Sequence, residues 1–281
     1  MPILMSLFLG LVQGITEFLP ISSSGHLAIF QNLFNINYAD GENLFFEVLL
    51  HMGTLISIIV VYRSDIRAML VDGVDFLRQR SDFESDEPVV LKPSVRALLF
   101  VLVGTLPMFV VVFFMGAVTR LFFNVAFIGF ALIITGGLIF VSDRIIKRGN
   151  KTEKTMTLTD AILIGLAQAV AVLPGLSRSG TTIAVGLSRG LSGSFAVRFS
   201  LLLSIPAILG SMIIHLYLAI RDGFDLSLFF IYFAGFVVAA VVGFFAIQLI
   251  RRMMKYGKFG NFAYYCWGLG AVTLILSLIL G

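Results

Sequence analysis

The chain has 281 residues, 58% of them hydrophobic and 13% charged, with a net charge of +4. A soluble domain of this size carries about 25% charged residues to cover its surface, so a soluble globular fold is excluded. The positive balance does not mark a nucleic-acid binder, because the charges lie in loops between apolar runs. The only cysteine is Cys266, which rules out an internal disulfide. The start, Met1-Pro2-Ile3, has no basic stretch and does not read as a cleaved signal peptide.

In chain order, the apolar stretch 1–36 is broken at Pro20, and 44–62 is long enough to span a bilayer but carries Glu47 and His51. A span needs about 20 mostly apolar residues. The connection 64–92 places Ile66, Met69, Leu70, Val74 and Leu77 at helical spacing, which predicts an interfacial helix. Its acidic tail (Asp82, Glu84, Asp86, Glu87) reads as a solvated turn. Further spans are expected at 97–118, 121–142, 199–220, 226–250 and 261–281, and 158–190 is apolar but broken at Pro174-Gly175.

Three loops hold most of the cations: Arg63 to Lys92, Arg144 to Lys154, and Arg251 to Lys258. The positive-inside rule puts all three in the cytoplasm. Segment 158–190 must then begin and end on that side. Its roughly 33 residues fall short of the ~40 that two spans need, so a re-entrant hairpin is expected. The same parity makes 1–36 a hairpin from the opposite face. The predicted fold is an all-α polytopic membrane protein of six transmembrane helices plus two re-entrant hairpins, a single membrane domain over 1–281. Arg189 and Arg198 read as topology anchors, and His215 as interfacial.

Sliding the sequence along itself by 155 residues lays 10–25 (GLVQGITEFLPISSSG) over 165–180 (GLAQAVAVLPGLSRSG) without a gap. Gly10, Leu11, Gln13, Ser22, Ser24 and Gly25 recur as Gly165, Leu166, Gln168, Ser177, Ser179 and Gly180. Three spans follow each copy, an odd number, so repeats 1–145 and 155–281 are expected to be inverted. Inverted repeats with broken helices place their site where the breaks meet, near the midplane.

The copies differ where chemistry needs asymmetry. Glu17 stands opposite Val172, Ser23 opposite Arg178 and His26 opposite Thr181. Ionisable groups inside a membrane cost about 2.5–3.5 kcal/mol each on insertion scales, which makes them functional candidates. Gln13 and Glu17 share a helix face and offer oxygen ligands to a hard divalent cation, substrate and water completing its shell. Ser22, Ser23, Ser24 and Gly25 open a helix, as do Ser177, Ser179, Gly180 and Thr181. Such N-termini bind anions, though capping alone accounts for one serine in each. Arg178 adds a fork suited to phosphate oxygens. His26 fits a proton shuttle, a nucleophile or a scaffold.

The stretches QGITEFLPISSSGH (13–26) and PGLSRSGTT (174–182) resemble the two signature motifs of bacterial undecaprenyl-diphosphate phosphatases of the bacitracin-resistance type. The resemblance extends over essentially the whole chain. It implies hydrolysis of undecaprenyl diphosphate to undecaprenyl phosphate, recycling the carrier lipid for peptidoglycan synthesis at the outer face of the cytoplasmic (inner) membrane. It also implies Glu17, Ser23, His26 and Arg178 as catalytic residues, with Mg²⁺ or Ca²⁺ near Glu17 and Gln13. The family's acidic motif is Glu or Gln, three residues, then Glu, and the Gln form here removes one candidate metal ligand. The expected partner is a polyprenyl diphosphate lipid in a membrane, with no nucleic acid; a homodimer is compatible with it. The alternative is a lipid-phosphate transporter or flippase, which shares the repeat but needs no set of nucleophile, base and arginine.

Overall fold

The structure, a computed structural model, describes residues 2–34, 41–81, 91–145 and 149–280. The acidic tail Asp82, Glu84, Asp86 and Glu87 lies outside the described residues, as do Lys147 and Arg148. Among the described residues everything regular is helical; the one β feature is an isolated bridge between Lys151 and Leu191.

Two short helices, α1 (Ile3–Thr16) and α2 (Ser23–Leu33), precede α3 (Gly41–Val61). Then come α4 (Arg63–Ser81), α5 (Pro93–Val112), α6 (Met115–Phe122) and α7 (Val125–Ile145). A second short pair, α8 (Leu158–Val170) and α9 (Arg178–Ser188), precedes α10 (Gly193–Asp222), α11 (Phe229–Lys255) and α12 (Asn261–Leu280). Among the described residues, six helices (α3, α5, α7, α10, α11 and α12) are long and apolar enough to cross a membrane. The chain is an integral membrane protein. Large apolar side chains on their outer faces, such as Phe109, Ile213, Tyr217 and Phe230, are exposed as lipid contact demands.

The span expected at 97–118 ends earlier. Its helix closes at Val112, and 115–122 form the separate helix α6. Composition cannot locate that break, because Phe113 and Phe114 are as apolar as what precedes them. Helix α4 matches the interfacial pattern on one face: Leu70, Val74 and Leu77 are exposed, while Met69 turns inward to the core. Arg189 and Arg198 are structural ion pairs rather than bare anchors. Arg189 and Lys151 both hold Asp160, and Arg198 bridges Asp65 and Glu153.

Helix α1 packs along α11 and α8 along α5. Each contact includes a glycine with no room for a side chain. A Cβ on Gly10 would collide with the Gly235 backbone, and one on Gly165 with the Gly104 backbone. Small residues at such crossings let helices approach where lipid offers no hydrophobic drive. Gly10 and Gly165 are the same position of the sequence repeat.

Candidate active site

Each short pair is joined by an elbow. After α1 the chain runs through 17–22, and Pro20, which cannot donate to a continuing helix, ends the regular backbone. Ser22 then caps α2, its Oγ accepting the Gly25 N–H at 3.1 Å. After α8 the chain turns at Pro174-Gly175, where Gly175 adopts φ +91°, open to glycine at little cost. Ser177 caps α9 in the same way, its Oγ accepting the Gly180 N–H at 3.1 Å. The hydroxyls of Ser22 and Ser24, and those of Ser177 and Ser179, lie 3.3 Å apart in each copy.

The elbows touch reciprocally. Gly25 faces Gly175, and Gly180 faces Pro20, a Cβ on either glycine reaching within 3.1 Å of its neighbour. The Ser179 hydroxyl donates to the Leu19 carbonyl at 3.3 Å. Thr135 of α7 pins the second elbow from behind: its Oγ1 donates to the Gly175 carbonyl at 3.0 Å and accepts the Ser177 N–H at 3.1 Å.

Ser23 and Arg178 hold equivalent positions, the first residue of α2 and of α9, and both reach Glu17. The Ser23 hydroxyl donates to Glu17 Oε2 at 2.7 Å, and the Gln13 amide donates to the same oxygen at 3.1 Å. Arg178 donates to the other oxygen, Oε1, and forms an ion pair with it. The Glu17 side chain is 3% exposed and that of Arg178 22%, so the carboxylate is sealed while the guanidinium keeps an open edge. An arginine has five N–H donors, which leaves several for an incoming anion. The Glu17 carboxylate therefore joins a hydroxyl and a guanidinium that come from opposite halves of the chain.

Ser22 is the only non-glycine residue with positive φ among the described residues, at +70°. An L-residue there costs on the order of 1–3 kcal/mol and persists only when its surroundings over-determine it. Ser177, its repeat counterpart, is relaxed at φ −78°. His26 supports the strained residue, its Nδ1 lying 2.7 Å from the Ser22 carbonyl. Its Nε2 lies 2.7 Å from the Tyr265 hydroxyl of α12.

The structure thus brings Gln13, Glu17, Ser22, Ser23, Ser24, Gly25 and His26 together with Ser177, Arg178, Ser179 and Gly180 about two touching elbows. Thr181 is buried close by in sequence with its Oγ1 unpartnered, and both amide atoms of Gln168 and the Oε1 of Gln13 lack partners. The orphan Gln13 Oε1 and a Glu17 carboxylate oxygen would offer a divalent cation two oxygen ligands. Among the described residues no group of three or more His, Cys, Asp or Glu could hold a metal. The donor set fits an ion that shares substrate oxygens, not one caged by protein.

Sequence reasoning missed Thr135 and Tyr265. Each is a polar side chain within a span, which is the signal that exposes such residues. His215, read as interfacial, sits with Nδ1 3.6 Å from Glu47 Oε2, while the Gln31 amide donates to Glu47 Oε1 at 3.1 Å. His51 donates from Nδ1 to the Glu47 carbonyl at 2.9 Å, a local helix bond.

Residues 6–272 match the family described as bacitracin resistance protein BacA. The chain belongs to that family. It is 36% identical to a protein of Halothermothrix orenii named undecaprenyl-diphosphatase, over 99% of both chains. It is 37% identical to one of the same name from Carboxydothermus hydrogenoformans, covering 97% of this chain and 96% of the relative. A third so named, from Alkaliphilus metalliredigens, is 35% identical over 98% of both chains. Membership spans both elbows and every helix that positions them.

Proposed function

We propose that the protein hydrolyses undecaprenyl diphosphate to undecaprenyl phosphate and inorganic phosphate, an activity linked to bacitracin resistance and to reuse of the carrier lipid in cell-wall synthesis. The single observation that carries this reading is the junction at Glu17, where a serine hydroxyl and a guanidinium from different elbows converge on one buried carboxylate. The family and the relatives' names favour a hydrolase over a lipid carrier.

The two helix pairs are re-entrant hairpins entering from opposite faces, and the halves are inverted repeats. Reciprocal contacts between the elbows and equivalent glycine docking support that arrangement. With the basic loops in the cytoplasm of the inner membrane, the site serves the outer face. The polyprenyl tail stays in lipid while the diphosphate reaches the elbows.

The open N–H groups of Arg178 and the first turns of α2 and α9 bind the phosphate oxygens. The Ser23 Oγ attacks the terminal phosphorus as its proton passes to Glu17 Oε2. An Oγ–P bond forms, and the anhydride P–O bond breaks with its electrons on undecaprenyl phosphate. Water then attacks the phosphoserine; Ser23 leaves, recovering the proton from Glu17, and the water's proton leaves with the phosphate. Positioning and charge stabilisation dominate phosphoryl transfer, which is what the elbows provide. Glu17 and Gln13 Oε1 would hold a divalent cation, Mg²⁺ or Ca²⁺, which would further neutralise the diphosphate charge. His26, with Nδ1 engaged by Ser22, holds the elbow in place.

The test is phosphate release from undecaprenyl diphosphate by the pure protein in detergent. Ser23→Ala is expected to abolish burst formation of a phosphoenzyme and lower turnover by at least about 10². Turnover at the wild-type rate by Ser23→Ala would move the attack to water or His26. No release by the wild type would overturn the hydrolase reading.

A further inference from the structure

We propose that Tyr265 is a positioning residue of this reaction, acting through His26 on the strained elbow that presents Ser23. The inference rests on the hydrolase reading above and extends it to a residue of the last helix. The Ser22 carbonyl can only accept, so the His26 nitrogen 2.7 Å away, Nδ1, carries a hydrogen. In the neutral imidazole Nε2 is then an acceptor, and the Tyr265 hydroxyl at 2.7 Å is its donor. The two rings also lie parallel, 4° apart with centroids 5.7 Å apart, so the imidazole is fixed in plane as well as at both nitrogens. A continuous line of hydrogen bonds thereby runs from Tyr265 through His26 to the peptide of Ser22.

That peptide is where rigidity matters. Ser22 holds φ +70° immediately before Ser23, and relaxation there would swing the Ser23 hydroxyl away from Glu17. The equivalent residue of the other elbow, Ser177, is unstrained at φ −78°, and its helix carries Thr181 where α2 carries His26. The half with the nucleophile has both the strain and the support; the other half has neither. Tyr265 is 47% exposed, so its ring also covers Nε2 from outside while His26 itself is buried.

Tyr265→Phe keeps the ring stack and removes the donor. In the purified full chain, kcat for phosphate release is expected to fall about three- to tenfold, the range of one hydrogen bond, with KM unchanged. Acylation of His26 by diethyl pyrocarbonate, followed by peptide mass mapping, is expected to accelerate as the Nε2 lone pair loses its hydroxyl donor. In a His26→Gln background the same substitution is expected to have no effect on kcat, since the residue acts through the imidazole. Wild-type kcat in Tyr265→Phe, unchanged His26 acylation, or an undiminished effect without His26 each overturns the proposal. The wild type assayed alongside separates the failures: no phosphate release by the wild type sinks the hydrolase reading, whereas the acylation arm judges Tyr265 without any turnover.

Discussion

Replacing Arg178 by alanine removes one side chain and disturbs two things at once. Its N–H on Glu17 Oε1 is the only cationic contact, among the described residues, of a carboxylate 3% exposed. Leaving that charge unpaired destabilises a buried site by about 3–5 kcal/mol, and protonation of Glu17 in response would end the role as base for Ser23 proposed above. The substrate also loses its forked donor. A preorganised donor of that kind contributes about 10²–10³ in rate, and a positioned base about 10²–10⁴. Independent losses would multiply to about 10⁴–10⁷, but Arg178, Glu17 and Ser23 form one hydrogen-bonded unit around the substrate, and losses within such a unit do not multiply. The expectation is a fall of about 10²–10³ for Arg178→Ala, with Glu17→Gln/Arg178→Ala no slower than the worse single variant. Arg178→Lys, which keeps charge but not the fork, should fall between. The assay is phosphate release in detergent, with thermal unfolding to follow stability. An Arg178→Ala enzyme within about threefold of wild type, or a double variant near the product of the singles, would refute the coupling.

Three further outcomes follow from the structure. Asp160 is fully buried; burial pushes its carboxyl up, but hydrogen bonds from Lys151, the Thr157 N–H and Arg189 hold it at about 2, below the ordinary 3.8. Its folded value being the lower one, the contribution is complete above about pH 4 and lost as pH falls through about 2, and the difference corresponds to about 2 kcal/mol. Asp160→Asn is expected to melt below wild type at neutral pH, with the gap closing on acidification, and a gap constant down to pH about 2 would contradict this. Gly165→Val would drive a side chain into the Gly104 backbone and should destabilise by about 1–3 kcal/mol or more. Gly137→Ala, in open space on α7, should be neutral or stabilising by up to about 1 kcal/mol, so equal effects would remove the docking argument. Chelation is expected to suppress phosphate release and added Mg²⁺ or Ca²⁺ to restore it; an unchanged rate in chelator would remove the cation from the site.

Much of the molecule is legible in the sequence because lipid imposes a coarse code. Six spans follow from apolar length, and α4 from the spacing of Leu70, Val74 and Leu77. The elbows were visible because Pro20 and Pro174-Gly175 interrupt stretches that otherwise read as helix, and the 155-residue offset aligned them. What stayed hidden depends on neighbours distant in the chain. Nothing in the run from Met115 to Phe122 distinguishes a separate short helix from the end of a span. The approach of His215 to Glu47 requires knowing that α10 and α3 pack together. Tyr265 is one of two adjacent tyrosines, and only the rotation of α12 decides which of them meets His26.

The asymmetry of the two elbows carries the functional argument further than their likeness. Duplicated capping serines and glycine contacts explain how two breaks can be buried against one another, and a carrier would need that much. It would not need a strained backbone in one copy alone, nor a carboxylate whose oxygens are divided between a hydroxyl at the first position of one helix and a guanidinium at the first position of the other. The strain at Ser22 is maintained beside the residue whose oxygen direction matters, and it is absent where Arg178, a long and adaptable side chain, occupies the equivalent place. A device that only gripped and released a headgroup would gain nothing from fixing the Ser23 hydroxyl against Glu17. Fixing it is what transfer of a phosphoryl group requires.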